Sequence, residues 1–269
     1  MPPPDSPIDR LRETAGRLYG WARRQIVPPR CVGCEVRLSV EHRLVCRSCR
    51  PTVRPLVGPK CPTCALPRQG PVGGRAGGID APCPDCRETR PHHRGADARW
   101  LYDGSIAVAL RRAKYGGQLW RLGRLGLALR PWLDRRLARL SEPPDESAPV
   151  VIPVPMHPDD LRRRGFNAAV QLARSGVRSD TAHLKLEAVA KTKQTPPQAS
   201  LRRAERLENV RGVFRVRRPD QIRGRRCLLF DDIATTGATL AELARTVQAH
   251  EPAGVWVVTA ARAPDQASL

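Results

Sequence analysis

Residues 227–239 hold side chains whose types and order suit a phosphorylated sugar. An apolar run, Cys227-Leu228-Leu229-Phe230, ends in two adjacent acids, Asp231 and Asp232. Thr235-Thr236-Gly237-Ala238-Thr239 follows, and a helical pattern opens at Leu240. The expected order is strand, tight acidic loop, helix start. A helix N-terminus has unpaired N–H groups and a partial positive charge, so it attracts phosphate. Gly237 and Ala238 let the backbone come close, and the hydroxyls of Thr235, Thr236 and Thr239 add donors. Open α/β sheets hold their ligands at the carboxyl ends of strands, where this reading puts the acids. Asp231 and Asp232 can accept hydrogen bonds from two neighbouring sugar hydroxyls and bind water on a magnesium ion. The features fit a ribose 5-phosphate carrying a good leaving group. A lone Asp-Asp pair would instead read as a capped turn facing solvent. The buried strand before it and the helix after it favour the ligand site.

The cysteines suggest a second chemistry. Eight of nine form Cys-x-x-Cys pairs: Cys31/Cys34, Cys46/Cys49, Cys61/Cys64 and Cys83/Cys86. Eleven residues separate the first two pairs and 18 the last two. Such a pair turns both thiolates toward one ion, and two pairs complete a tetrahedron. Closed all-thiolate sites suit structural zinc. Redox dithiol or iron–sulfur chemistry are the alternatives, but the region is rich in Pro and Gly and lacks the βαβ setting of thioredoxin-type dithiols. Sequential pairing puts Cys31, Cys34, Cys46 and Cys49 on one Zn2+ and Cys61, Cys64, Cys83 and Cys86 on another. A cross-braced arrangement would use the same residues, and spacing does not separate the two. With eight thiolates at hand, His92 and His93 read as solvated linker residues. Cys227 reads as a small buried core residue.

The elements that must position these groups follow from composition and pattern. A chain of 269 residues with 41% hydrophobic content can bury one large core or two modest ones. The net charge of +21, mostly from Arg, points to anionic partners: nucleic acid, phosphorylated metabolites or an acidic protein. A chain-wide arginine bias would give the same number. No window nears 18 consecutive apolar residues, so no spanning helix is expected. Met-Pro-Pro-Pro-Asp lacks the layout of a signal peptide, so a cytoplasmic location is expected, where disulfides are disfavoured.

Residues 1–27 are expected to carry an amphipathic helix, with Ile8, Leu11, Ala15, Leu18, Ala22 and Ile26 at helical spacing. It could pack on the protein or lie on a membrane surface. Residues 28–97 form the cysteine module, with a flexible loop at Gln69–Gly78. Beyond it, Trp100–Tyr102 reads as a strand, Ser105–Lys114 as a helix, and Leu119–Leu140 as a helix broken near Pro131. A surface loop is expected over 141–146, then a strand at Pro149–Pro155. Asp159–Gly165 reads as a loop, Phe166–Arg174 as a helix, and a second helix is expected to run through Val189. Val255–Ala260 reads as a buried strand, and 263–269 as a tail. Alternating strands and helices imply an α/β fold with a parallel, doubly wound sheet. No internal repeat is apparent beyond the cysteine pairs.

Asp231-Asp232-Ile-Ala-Thr-Thr-Gly-Ala-Thr239 resembles the phosphoribosyl pyrophosphate (PRPP) motif of type I phosphoribosyltransferases. Leu110–Gly117, Ile152–Pro158, Leu161–Asn167, Thr195–Ser200 and Glu205–Gly212 resemble further segments of one branch, the ComF/GntX family, in that family's order. The resemblance spans roughly residues 28 to 262. It implies a type I phosphoribosyltransferase-like domain over 98–262, with PRPP and Mg2+ at the sheet's carboxyl edge. It implies that Asp231 and Asp232 hold the ribose hydroxyls, 235–239 the 5-phosphate, and Arg163, Arg164 and Gly165 the pyrophosphate. Adjacent arginines and a glycine before a helix suit a dianion, while a solvated basic turn is the plainer reading. The family commonly has Asn-Gln-Ala where this chain has Asn167-Ala168-Ala169. Residues 191–212 resemble a lid that closes over PRPP. Lys114 and Tyr115 belong to a family signature and are expected near the site hood. The family's association with competence adds single-stranded DNA and the DNA-uptake machinery as partners. It also adds a second function: a zinc-dependent DNA-binding protein that keeps a PRPP-type site without turnover.

Overall fold

The structure, a computed structural model, describes residues 29–39, 44–68, 81–141, 148–195 and 209–264. The helix expected over 7–26, the loop 69–78, nearly all of the loop 141–146, residues 196–208 of the expected lid and most of the tail lie outside these residues.

Among the described residues the cysteine module has little regular structure beyond a 3-10 turn at Arg50–Thr52 and helix α1 (Pro84–Thr89). It does hold a repeat that the sequence reading missed. Cys31 N–H donates to Val36 O at 2.9 Å, and Cys61 N–H to Leu66 O at 2.9 Å. The carbonyls of Cys31 and Cys61 accept from Glu35 and Ala65, both of which take left-handed φ angles of 70° and 56°. Beyond the shared Cys-x-x-Cys, its sequence trace is Pro29-Arg30-Cys31 against Pro59-Lys60-Cys61.

The larger unit follows in the order β1 (Ala96–Leu101), α2 (Gly104–Tyr115), α3 (Trp120–Leu140), β2 (Val150–Pro153), α4 (Pro158–Arg164), α5 (Ala168–Gly176), β3 (His183–Leu184), β4 (Val189–Lys191), β5 (Phe214–Val216), β6 (Arg226–Ala234), α6 (Ala238–Gln248) and β7 (Gly254–Arg262). Five strands form one parallel sheet, ordered β1-β7-β6-β2-β3, and β4 pairs with β5 antiparallel. Alternate residues of the central strands feed opposite cores, as the pleat requires. Leu228, Phe230 and Val258 pack with Ile106, Leu110, Leu125 and Leu172 of α2, α3 and α5. Cys227, Leu229 and Val257 pack with Leu243 and Val247 of α6 and Phe214 of β5. Both faces are covered, which is why these strands read as continuous apolar runs. Cys227 is fully buried, as expected.

The structure corrects four expectations. α3 is continuous through Pro131. Pro131 sits on the solvent side, where Leu127 is 55% exposed, so the carbonyl it leaves unpaired is open to water. No helix runs to Val189; β3 and β4 stand there instead, and His183-Leu-Lys-Leu-Glu-Ala-Val189 carries a period-two pattern. The segment read as a loop over Asp159–Gly165 is mostly α4, which opens at Pro158 with Asp159 and Asp160 in its first turn. Finally, β6 runs on through Asp231 and Asp232 to Ala234, because β7 continues alongside it to Arg262.

Candidate ligand site and metal centres

Asp231 and Asp232 lie in the last part of β6, at the sheet's carboxyl edge, and not in the loop after it. Each braces the backbone ahead of it: Asp232 N–H donates to Asp231 Oδ1 at 2.8 Å, and Ile233 N–H to Asp232 Oδ1 at 2.9 Å. The pleat sends the two carboxylates to opposite faces. Asp232 is buried, and its Oδ2 lies 2.5 Å from Lys114 Nζ, at the end of α2. That oxygen and the ammonium form a buried charge pair. Burial lowers the Lys114 pKa, but the charges of Asp232 and Asp231 outweigh it and raise the net value. Asp231 is half-buried; desolvation of its carboxylate and the charge on Asp232 push its pKa well above the usual carboxylate range.

The loop after the acids is short. Gly237 takes φ 81°, a left-handed turn that brings the chain into α6 without a Cβ penalty. Thr236 Oγ1 accepts from Ala238 N–H at 3.3 Å. Thr235 is exposed, Thr236, Gly237 and Thr239 are half-buried, and Ala238 is buried against the core. The predicted phosphate residues therefore gather at the N-terminus of an eleven-residue helix beside the acids.

Arg163 and Arg164 close α4, and Gly165 caps it with φ 79°. Arg163 is exposed and pairs with Asp160 at 2.7 Å. Arg164 lies over the Tyr115 ring at 5.9 Å, next to Lys114. Lys191, at the end of β4, was not singled out by sequence. Burial lowers its pKa, and the nearby charges of Asp160 and Asp231 oppose that fall. Cations from α2 and β4 thus face the acid pair. Lys114 stands at the acids themselves, while the neighbouring Tyr115 is exposed.

The two cysteine sets pair sequentially. Cys31, Cys34, Cys46 and Cys49 bring their sulfurs within 4.8 Å of one another, and so do Cys61, Cys64, Cys83 and Cys86. Cys34 Sγ lies 3.6 Å from Cys46 Sγ, and Cys64 Sγ 3.8 Å from Cys83 Sγ. A tetrahedral zinc with bonds of about 2.3 Å spaces its sulfurs about 3.8 Å apart, so the residues fit the ion. In both sets the third cysteine's N–H points to the first cysteine's sulfur, at 3.4 Å for Cys46 and 3.2 Å for Cys83. Such donors stabilise thiolate ligands. His93 is not the solvated residue expected: it is half-buried, and desolvation takes its pKa down to about 4.

Two buried arginines that sequence reading missed join the two halves of the cysteine module, each built around one set of four cysteines and here called ribbons, to the larger unit. Arg121 of α3 donates to Val32 O in the first ribbon, to Glu35 at 2.5 Å and to Gln118 at 2.6 Å. Arg262, at the end of β7, donates to Cys64 O in the second ribbon at 3.0 Å. The same guanidinium donates to the carbonyls of Ala234 and Thr235, which open the phosphate loop. No local signal marks either residue in so arginine-rich a chain.

Residues 22–90 match the family described as a double zinc ribbon domain. The chain is 27% identical over 232 residues to DNA utilization protein YhgH of Escherichia coli K12, covering 86% of this chain and 96% of that protein. It is 25% identical over 230 residues to competence protein F of Haemophilus influenzae, covering 81% and 90%. The resemblance read from the motifs is borne out by these relatives. A hypoxanthine-guanine phosphoribosyl transferase from L. donovani aligns with 52% of this chain and 71% of its own at 17% identity and a TM-score of 0.30. An allosteric regulatory enzyme of purine biosynthesis aligns with 49% of this chain and 25% of its own, with TM-score 0.28. Among the described residues no helix is long and apolar enough to cross a membrane.

Proposed function

We propose that the protein binds PRPP with Mg2+ and transfers the phosphoribosyl group, releasing pyrophosphate, in a process tied to DNA uptake or use. The observation that carries this reading is the acid pair set beside a glycine-turned helix N-terminus at the carboxyl edge of a parallel sheet. Asp231 and Asp232 would accept from the ribose hydroxyls, and Thr235–Thr239 would hold the 5-phosphate. Arg163, Arg164 and Gly165 would receive the pyrophosphate end. Magnesium would supply positive charge to the departing pyrophosphate. The C1–oxygen bond breaks toward pyrophosphate while a nitrogen acceptor bonds to C1. The carboxylates stabilise the oxocarbenium character between these events, so no side-chain nucleophile is needed. Lys114 balances the acids before the ligand arrives. The names of the relatives in Escherichia coli and Haemophilus influenzae support the link to DNA.

Calorimetry with PRPP and Mg2+ tests the reading. Wild type binds and the Asp231→Asn/Asp232→Asn variant does not; pyrophosphate release on adding candidate amines or bases then marks an enzyme. Absence of binding to the wild type would sink the assignment. The net charge of +21 favours a second reading, a non-catalytic zinc-dependent protein that grips single-stranded DNA and keeps the PRPP-type site for sensing.

A further inference from the structure

The two cysteine sets differ in what can reach them. Cys34 is the one exposed cysteine of the nine, and its partners Cys46 and Cys49 are half-buried. In the second set Cys61, Cys83 and Cys86 are buried and Cys64 alone is half-buried. Arg30, Arg37, Arg47 and Arg50 stand exposed within three residues of the first set's cysteines. The nearby acid, Glu35, is already paired with Arg112 at 2.7 Å and with Arg121 at 2.5 Å. An exposed thiolate in a positive setting, with further thiolates in reach, is the arrangement that peroxides oxidise first.

The chemistry follows from the sulfur positions. Cys34 Sγ attacks one peroxide oxygen, the O–O bond breaks, hydroxide leaves and Cys34 becomes a sulfenic acid. Cys46 Sγ, 3.6 Å away, then displaces a second hydroxide from that sulfur and closes a disulfide. Two thiolates have passed two electrons to one peroxide, which ends as two hydroxides. The set keeps two thiolates, too few for a closed tetrahedral site, and gives up its ion.

The first ribbon also holds a helix that reaches the acid pair. At the start of α2, Ser105 Oγ donates to Cys49 O at 3.4 Å, and Ser105 N–H donates to Thr52 Oγ1 at 3.1 Å. Thr52 Oγ1 donates to the same Cys49 carbonyl at 2.8 Å. Ribbon and helix touch here: a Cβ on Gly33 would stand 2.7 Å from Ser105 Oγ. Val32 packs into the core with Ile106 and Leu110, and Arg112, near the end of α2, holds Glu35. Lys114 lies two positions beyond Arg112 and pairs with Asp232. Loss of order at Cys31–Cys49 therefore loosens α2 from both ends.

We propose that the first cysteine set is a peroxide-sensitive site, where oxidation begins at Cys34, frees zinc from this set alone and loosens α2. None of this depends on PRPP binding at the acids. The test treats full-length, zinc-loaded protein with hydrogen peroxide beside a chromogenic zinc indicator. Zinc leaves one of the two sets in a fast phase and stays in the other. Tandem mass spectrometry finds a disulfide that contains Cys34, and dithiothreitol with added zinc restores the starting state. Cys34→His keeps a full set of ligands but removes the exposed thiol, so the fast phase is lost. Cys64→His, the same change in the second set, leaves the fast phase in place. Where Cys34→His fails to load both sets, the mass spectra of the wild type decide. Hydrogen exchange reads the relay: the amides of α2 exchange faster after oxidation, and those of α6 do not. Release of both ions together, release from the second set first, a first disulfide that lacks Cys34, or exchange in α2 unchanged by oxidation overturns the proposal.

Discussion

At the residue scale, the acid pair sets function against stability. Asp231 is desolvated beside a second carboxylate, so its folded pKa is raised. A carboxyl raised in this way contributes stability below its unfolded pKa of about 3.9 and loses it as pH climbs through the folded value. Asp231→Asn removes that loss and keeps the oxygen that accepts from Asp232 N–H. The variant should melt above wild type at neutral pH by about 2–4 °C, the shift of about 1 kcal/mol in a chain this size. Its advantage should shrink toward pH 4, and it should bind PRPP far more weakly. A lower melting temperature at pH 7 would count against the strain assigned to this carboxylate. Lys114 makes the complementary case. Lys114→Met leaves Asp232 buried without its cation and should cost about 3 kcal/mol. Adding Asp232→Asn should restore most of that, and the cycle measures the pair directly by urea denaturation.

These residues also mark what the sequence could disclose. Asp231, Asp232 and Thr235–Thr239 are contiguous, so spacing alone assembles them into one site. Lys114 and Lys191 reach the same acids from α2 and β4. Only the packing of distant elements brings them there; the segment Leu110–Gly117 marks Lys114 by resemblance alone, and nothing beside Lys191 marks it.

At the element scale, the parallel sheet was legible because buried strands leave unbroken apolar runs such as Cys227–Phe230. The short elements were not. α4 is one of several outcomes for a polar, charged stretch, and tertiary pairing decides between helix and strand before Val189. The docking of the ribbons was equally hidden. Arg262 links Cys64 O to the carbonyls of Ala234 and Thr235, so the second ribbon and the phosphate loop share one support. Arg262→Met should therefore release zinc from the second site faster while sparing the first. Chelator challenge with a chromogenic indicator should show two ions per chain, with one phase accelerated and PRPP affinity reduced in the same variant. A single unchanged phase would refute the shared support. The crossing of α3 and α5 rests on Gly126, where a Cβ would stand 2.6 Å from Leu172 O. Gly126→Ala should destabilise the protein by about 1–3 kcal/mol in chemical denaturation, with zinc content unchanged.

At the scale of the whole molecule, charge separates the two functional readings. Forty-seven Lys and Arg against 26 Asp and Glu leave an excess that the small PRPP site cannot absorb. Aromatic residues make up only 4% of the chain, so base stacking can add little to any grip on single strands. Affinity for single-stranded DNA, where present, should then come from phosphate contacts and fall steeply with salt. Each phosphate neutralised contributes a slope of about −0.7 in log K against log salt. A surface this basic should engage at least three phosphates, giving a slope of about −2 or steeper with little dependence on sequence. Fluorescence anisotropy with labelled oligonucleotides from 50 to 200 mM salt, about a 20-fold loss at that slope, measures it. Asp231→Asn/Asp232→Asn should leave the slope unchanged while removing PRPP binding, because the slope counts phosphates met by cations and neither substitution removes a cation. A slope near zero would confine the positive charge to a compositional role and leave the phosphate site as the molecule's functional centre.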